Sequence, residues 1–363
     1  MSIGPFSILH FLIHFVSDNL PPILGEFSER GFLGAHLPIP ANPPNLRSSF
    51  DHSFYLPVCP LPTHRMPIRL HSLPGKDLRN ALNCMDIRDL INFSLCSNGT
   101  KNLVKSSNPK TFSAEIDENI IKLDMFVLGL MGRLEKQIQF VVHENSIELD
   151  RGNGIELLTK EGYTQSDWIA HLLSLSDSKV LELRIENVPS ISYLDTVKQL
   201  FPKCYALQIG ENCSMELTKA AVSKYSSDVE VVIIESNPFD NENHISQFLN
   251  LNLEMLMLLN LRNPFKIELN DLLLVNSEHL SIDGANFTER ELNRFLKLWM
   301  KGSHRFYRPE HIDLSFRNEI NREEVLKGIN YQTMDDKHRL RRADGNELLI
   351  SIGEKEVAFE FEG

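Results

Sequence analysis

Apolar residues in the second half of the chain recur in short alternating runs, a pattern that predicts β-strands. We expect strands at residues 180–185, 205–209, 229–234, 254–259, 278–282 and 310–314. Aligned on one inward position, successive strands lie 24 or 25 residues apart, and the last step is 32 residues. The aligned residues are Leu183, Leu207, Val232, Leu256, Leu280 and Ile312. Another apolar residue follows two positions later in every strand, so each strand directs one face at a core.

Helical patterns occupy the segments between these strands. Apolar residues share one helical face at 193–201, 216–225, 244–249 and 267–275, and in a longer segment that begins at Thr288. Glu291 stands at the capping-box position of that longer helix. Leucine-rich repeats place one strand and one helix in every repeat of roughly 20–29 residues. Each unit leaves an apolar face that only its neighbours cover, so the sequence predicts a leucine-rich-repeat-like α/β array over residues 176–320.

The flanking segments have patterns of their own. Residues 111–175 predict linking β-hairpins followed by a helix from residue 165, with Thr164 as its N-cap and Asp167 as its capping-box acid. Residues 321–363 predict a short helix and then a β-hairpin that caps the array. Residues 1–65 contain an apolar run at 6–16 followed by many prolines, which predicts a disordered leader.

Three short helical patterns lie within residues 66–108. The first follows Leu73-Pro74, because proline is favoured at a helix start. The second starts after Asp86, an N-cap residue, with Asp89 in its first turn. A segment of this size does not bury such apolar surface alone, so we expect a protein partner. The alternative is that the helices cap the following domain.

This segment resembles an F-box. The resemblance rests on Leu73-Pro74, the pair Leu78 and Leu82, Met85, Asp89-Leu90 and the string from Phe93 to Ser97. It implies a three-helix module that docks on the Skp-type adaptor of cullin–RING ubiquitin ligases. The adaptor-binding residues that follow are Leu73, Pro74, Leu78, Leu82, Met85 and Ile91. Part of this set is expected to pack within the module instead.

The second half resembles the type-two F-box-associated domain of nematode F-box proteins. The residues that carry this likeness are Phe295–Trp299 with Lys301-Gly302-Ser303, Leu326–Ile329 and the run from Arg341 to Gly345. With the F-box, the resemblance extends over residues 66–363.

Composition and motifs argue against catalysis and against nucleic acid. The net charge is −12, whereas nucleic-acid-binding surfaces are basic. The chain has no phosphate-binding loop, no nucleophile elbow and no zinc-binding helix motif. We therefore expect no catalytic residues, no metal and no cofactor.

The apolar run at 6–16 is shorter than the roughly 20 residues of a membrane span, so no membrane partner is expected. Five scattered cysteines fit a reduced compartment, the cytoplasm or the nucleus.

The leading hypothesis is a non-catalytic substrate receptor of a Skp–cullin–F-box ubiquitin ligase. Its F-box would bind the adaptor, and through it a cullin, while the array holds an unknown protein target. Outward strand residues would contact that target, with Glu182, Arg184, Gln208 and Glu230 as candidates. Two alternatives are a repeat scaffold with no ligase role and a secreted repeat-containing binding protein. The N-x-[ST] sequons at Asn92, Asn98, Asn212 and Asn286 suggest the secreted form.

Overall fold

The computed structural model describes residues 73–107, 110–128, 134–150, 154–176, 180–235, 237, 245–259, 265–302, 308–335 and 337–362. The predicted leader at 1–65 lies outside these residues. The chain divides into two compact units, Met1–Leu78 and Arg79–Gly363. The described part is a mixed α/β structure, with helices at the position of the F-box resemblance followed by a large sheet.

Ten helices lie within the described residues. The helices before the large sheet are α1 (Gly75–Cys84), α2 (Ile87–Ser94) and α3 (Asn98–Lys105). The others are α4 (Gln165–Leu173), α5 (Tyr193–Leu200), α6 (Met215–Tyr225), α7 (Ser246–Leu249), α8 (Leu269–Leu272), α9 (Glu289–Met300) and α10 (Arg322–Val325). None of these described helices is long and apolar enough to cross a membrane.

Fifteen strands form one sheet within the described residues. The first five are β1 (Lys110–Asp117), β2 (Ile120–Leu128), β3 (Leu134–Val142), β4 (Ser146–Asp150) and β5 (Ile155–Thr159). The next six are β6 (Val180–Asn187), β7 (Cys204–Ile209), β8 (Val231–Ile234), β9 (Met255–Leu259), β10 (His279–Ala285) and β11 (His311–Phe316). The last four are β12 (Gln332–Met334), β13 (Lys337–Arg341), β14 (Glu347–Ile352) and β15 (Glu356–Glu362).

Strand order follows the chain through the middle of the sheet. It runs β12-β13-β14-β15-β11-β10-β9-β8-β7-β6-β1-β2-β3-β4-β5. Strands β6 to β11 are parallel neighbours, with β1 parallel to β6. The other neighbours are antiparallel, so the parallel part lies between two antiparallel meanders.

The register of the parallel strands confirms the alignment predicted from the sequence. Leu183 pairs with Leu207, Val232 with Leu256, and Leu280 with Ile312, and the intervening pairs keep the same register. All six predicted inward side chains are at most 1% exposed. They lie in one hydrophobic core with the buried faces of α5, α6 and α9. A chain with this spacing therefore builds one continuous apolar ladder across the middle of the sheet.

The predicted helix starts are confirmed at two helices, whereas three of the predicted helices are shorter than expected. Thr164 with Asp167 and Thr288 with Glu291 form the predicted capping boxes of α4 and α9. The helices expected at 244–249, 267–275 and 321–329 are shorter, with four residues each in α7, α8 and α10. Ile267 and Val275, which flank α8, are buried without being helical. An apolar pattern reports burial, and burial does not require a helix.

The two ends of the sheet contain strands that the sequence did not predict. The expected C-terminal hairpin is confirmed as β14 and β15, which pair in antiparallel register. Strands β12 and β13 extend it, and β5 extends the N-terminal meander beyond β4. These strands are short or carry charged side chains on one face, so their apolar alternation is weak.

Candidate functional site

Helix α1 begins directly after Leu73-Pro74. The Leu78 amide donates a hydrogen bond to the Pro74 carbonyl at 2.9 Å. The proline thus stands at a helix start, where its missing N–H leaves no bond unmade. Leu73 and Leu78 are half-buried, and Pro74 is exposed. The division between the two compact units falls inside α1, directly after Leu78.

Helix α2 starts as its sequence predicts. The Arg88 amide donates to Asp86 Oδ1 at 2.9 Å, and Asp89 lies in the first turn. Within the unit that begins at Arg79, Leu82 is 2% exposed and Ile91 is fully buried. Ile91 belongs to the core of the sheet, so its side chain packs inside the chain. The adaptor-binding assignment of these residues stays a prediction.

Polar contacts fix α2 against the sheet and α4. Ser94 Oγ lies 2.8 Å from His171 Nε2 and donates to the Ile91 carbonyl at 2.6 Å. A hydroxyl has one proton to donate, so the His171 Nε2–H must donate to Ser94. Lys160 Nζ donates to the Leu95 carbonyl at 3.3 Å. Helix α2 therefore belongs to the compact unit that contains the sheet, and these contacts fix it there.

His171 is held neutral at physiological pH. It is 9% exposed. Burial, together with the nearby positive charges of Lys101 and Lys160, lowers its pKa to about 4. A neutral imidazole keeps the single Nε2–H tautomer that the contact with Ser94 requires.

The predicted target-binding residues fall into two groups. Glu182, Arg184 and Gln208 share the outer face, defined here as the face of the sheet opposite the helices. Gln208 pairs with Arg184 across β6 and β7. Glu230 does not join them, because it precedes β8 and Val231 takes the place beside Ala206. Glu230 is exposed, whereas Glu182 and Gln208 are 7% and 1% exposed.

Two carboxylates that the sequence analysis missed organise this cluster. Arg184 Nη2 donates to Glu235 Oε2 at 2.8 Å, and its Nε pairs with Glu186. Gln208 Nε2 donates to Glu235 Oε1 at 2.6 Å. Glu235 follows the end of β8, so only the strand register shows that it reaches Arg184. Burial raises the pKa of Glu182 to about 7, since Arg184 only partly offsets the desolvation and nearby carboxylates.

A second cluster gathers residues from the C-terminal motifs. The guanidinium carbon of Arg342 lies 5.4 Å from the centre of the Trp299 ring. Arg342 Nε donates to Asp344 Oδ1 at 2.8 Å, and its Nη2 also pairs with Asp344. Gly345 adopts a φ of 99°, a conformation that favours glycine, and its amide donates to the Arg342 carbonyl. These contacts join α9 to the β13–β14 turn.

Two models of protein families match the chain. An F-box domain matches residues 70–112, and an F-box-associated domain matches residues 244–306. The chain contains an F-box and an F-box-associated domain. The F-box match spans α1, α2 and α3, and the F-box-associated match spans α7, β9, α8, β10 and α9.

One curated relative is similar in sequence to most of the chain. The chain is 25% identical over 284 residues to the F-box associated domain-containing protein sdz-33 of Caenorhabditis elegans. That alignment covers 74% of this chain and 85% of the relative. No solved structure matches the chain. The two domain families are typically non-catalytic adaptors.

Residues of α9 that lie within the F-box-associated match contact C-terminal segments that lie beyond it. Trp299 lies within the matched residues, whereas its partner Arg342 lies in the C-terminal sheet beyond them. Asn293, also within the match, donates to the carbonyls of Val325 and Lys327 at 2.7 and 3.0 Å. Helix α9 of the F-box-associated domain therefore anchors the C-terminal segments through its polar side as well as its apolar one. Among the described residues, no cluster of His, Cys, Asp or Glu is placed to hold a metal ion.

Proposed function

We propose that this chain is a substrate receptor of a Skp–cullin–F-box ubiquitin ligase. The observation that supports it is the presence of an F-box and an F-box-associated domain on one chain. F-box domains generally bind Skp-type adaptors, and the adaptor would link the chain to a cullin. The chain would contribute no catalytic group. It would accelerate ubiquitin transfer by holding the target close to the ligase.

The proposed layout follows the sequence. The F-box comprises residues 66–108. Linking elements follow at 111–175, then a leucine-rich-repeat-like array at 176–320 and a C-terminal cap at 321–363. Sequential parallel strands in constant register support the array, because neighbouring units in such a fold bury one another's apolar faces. The ligase would act in the cytoplasm or the nucleus.

The adaptor contact is proposed to involve Leu73, Pro74, Leu78, Leu82, Met85 and Ile91. Pro74 is exposed and Leu73 is half-buried, so both have surface to offer a partner. Leu82 and Ile91 are buried, and they would act mainly by shaping the helices. The target contact is proposed on the outer face, where Arg184 retains exposed surface and Glu182 and Gln208 position their neighbours, together with the exposed Glu230 just before β8.

The test is binding of a purified Skp-type adaptor to the full chain in a pulldown. Leu73→Ala/Pro74→Ala should weaken capture by roughly tenfold or more, because burying a leucine at an interface contributes about 1.5–3 kcal/mol. The control is Ile191→Ala, a change at an exposed apolar residue far along the sequence. Loss of capture in the first variant alone supports the proposal. No capture by the unmodified chain would overturn it and favour a scaffold with no ligase role.

A further inference from the structure

Helix α9 carries four basic side chains on its solvent side. They are Arg290, Arg294, Lys297 and the C-cap residue Lys301, and all four are exposed. Successive residues of this set are four, three and four positions apart. With 3.6 residues per helical turn, the four therefore lie within an arc of about 60° and form a line about 16 Å long. We call these four residues the basic stripe.

The basic stripe faces directly away from the core. The buried residues of α9 are Leu292, Phe295, Leu296 and Trp299. At about 100° per residue, the centre of this buried face lies about 180° around the helix from the centre of the stripe. The exposed large apolar residues of the described chain include none from α9. The solvent side of this helix is therefore charged and contains no exposed apolar patch.

No acidic side chain of the described residues balances the stripe. Its four side chains make no salt bridge and no hydrogen bond there. The two acids of α9 are engaged elsewhere. Glu291 accepts hydrogen bonds from the amide and the hydroxyl of Thr288, and Glu289 Oε1 accepts one from the Asn321 amide at 3.3 Å. Four unbalanced positive charges thus stand together on a chain whose net charge is −12.

The stripe also works against the helix that carries it. Arg290 with Arg294, and Lys297 with Lys301, are like-charged pairs four residues apart, and such pairs repel. Arg290 lies in the first turn, where the positive end of the helix dipole disfavours a cation. The dipole favours the two lysines near the C-terminus, so it accounts for only half of the stripe. Charges that weaken their own helix suit a surface whose counter-charges come from another molecule.

We propose that the basic stripe binds an acidic segment of a partner protein. The guanidinium groups of Arg290 and Arg294 would each donate paired hydrogen bonds to a carboxylate. Lys297 and Lys301 would act as point charges for the acids that follow along the segment. Helix α9 packs on the face of the sheet opposite the outer face, so this surface is separate from the one proposed for the target.

Three other partners fit the stripe less well. A membrane surface would need exposed apolar side chains beside the charges, whereas the apolar side chains of α9 lie in the core. A symmetric dimer through this face would set the two stripes against each other. A nucleic acid longer than the stripe would meet the negative charge of the remaining surface. A short acidic segment avoids most of that repulsion, because physiological salt screens charges beyond about 8 Å.

The test measures binding of fluorescent peptides to the full chain by fluorescence anisotropy. The probe alternates glutamate and serine over roughly ten residues, so an extended probe is longer than the stripe and directs its carboxylates to one side. Binding should be saturable at an ionic strength of about 0.05 M. It should weaken at least about tenfold at about 0.5 M, because salt screens exposed charges. A glutamine–serine peptide of the same length should bind at least about tenfold more weakly than the probe.

Matched variants separate the stripe from the charge of the whole chain. Arg290→Glu/Arg294→Glu should weaken binding of the probe at least roughly tenfold. Lys76→Glu/Arg79→Glu changes the net charge equally at two exposed positions of α1 and should leave binding within about twofold.

A neutral variant separates binding from folding. Arg290→Gln/Arg294→Gln should also weaken binding, while its melting temperature stays equal to that of the unmodified chain or rises, because the repulsion within α9 is relieved. Circular dichroism follows the melting and checks that each variant is folded.

Several results would overturn the proposal. These are no binding of the glutamate–serine peptide, equal affinity for the glutamine–serine peptide, or equal binding by Arg290→Glu/Arg294→Glu. Tighter binding of a ten-nucleotide single-stranded DNA, lost in that variant, would instead identify a nucleic acid as the partner. A dimer in analytical ultracentrifugation that the same variant abolishes would identify a second copy. The assay contains no adaptor, so its failure leaves the adaptor pulldown as a separate test of the ligase role.

Discussion

The Arg342 guanidinium lies over the Trp299 ring, 5.4 Å from its centre, while its Nε donates to both carboxylate oxygens of Asp344 at 2.8 and 3.0 Å. Trp299 comes from α9 and Asp344 from the β13–β14 turn, so one side chain joins α9 to the C-terminal strands. The Arg342 side chain is 5% exposed. A planar guanidinium suits this place, because it stacks on an aromatic ring and hydrogen-bonds in its own plane.

We predict that Arg342→Lys lowers the free energy of unfolding by on the order of 1 kcal/mol, since an ammonium neither stacks on Trp299 nor matches the Asp344 carboxylate. Chemical denaturation measures this change. The control is Arg341→Lys at the neighbouring position, where the side chain is 73% exposed. That change should stay within about 0.5 kcal/mol. Equal effects of the two substitutions would show that the stacked pair contributes nothing specific.

The apolar ladder gives a second prediction. Leu256 is fully buried between Val232 and Leu280, so Leu256→Ala should cost about 2–5 kcal/mol through lost burial and the cavity left behind. Leu274→Ala is the matched control, because Leu274 is 47% exposed. Thermal denaturation of both variants is the measurement. A small effect at Leu256 would mean that the core beneath β8, β9 and β10 is packed less tightly than their register indicates.

The sequence predicted the middle of the sheet well because two periodicities agree there. Leu183 and Ile185 obey the two-residue alternation of a strand, and the same pair recurs at a nearly constant interval. Strand β5 repeats in no such series, and its outer residues Ile155 and Leu157 are apolar without being buried. Because β5 has apolar residues on both its exposed and its buried face, its sequence does not alternate between apolar and polar residues, and the strand could not be recognised from that pattern.

The clusters were harder to predict than the strands. Arg184 and Glu235 are 51 residues apart and meet only because β6, β7 and β8 lie side by side. Sequence patterns give which face a residue takes, but the partner of a charged side chain depends on the register of neighbouring strands. Trp299 and Arg342 both belong to the motifs that carry the family resemblance. Their contact, however, follows only from the packing of α9 on the C-terminal strands.

Gly210 gives a third prediction. A Cβ added there would overlap the Glu186 carboxylate, which pairs with Arg184. Gly210→Ala should therefore push Glu186 away from Arg184 and cost about 1 kcal/mol. In a Glu186→Ala background the obstruction is gone, so the same glycine substitution should cost much less. A double-mutant cycle by chemical denaturation measures the coupling. Additive effects would show that Gly210 is needed for its backbone alone.

Acid should weaken the attachment of α2 to the sheet through His171. Its pKa is about 4 in the folded chain, below the ordinary value of 6.5, chiefly because of burial. Between these values the unfolded chain binds more protons than the folded chain, so stability falls as pH decreases from 6.5 towards 4. At pH near 5 the loss should be no more than about 2 kcal/mol. Denaturation midpoints across this pH range measure it.

His171→Gln isolates this contribution, because a glutamine amide can still donate to Ser94 but does not titrate. This comparison is needed because Glu182 changes the stability in the opposite direction. The pKa of Glu182 is raised to about 7 in the folded chain, so the folded chain binds a proton at Glu182 before the unfolded chain does. The free energy of unfolding therefore rises as pH falls from 7 towards 4.5. The difference in stability between the two proteins should therefore change steadily from pH 6.5 to 4 and level off below it. A constant difference over that range would mean that His171 becomes protonated without loosening its contact with Ser94.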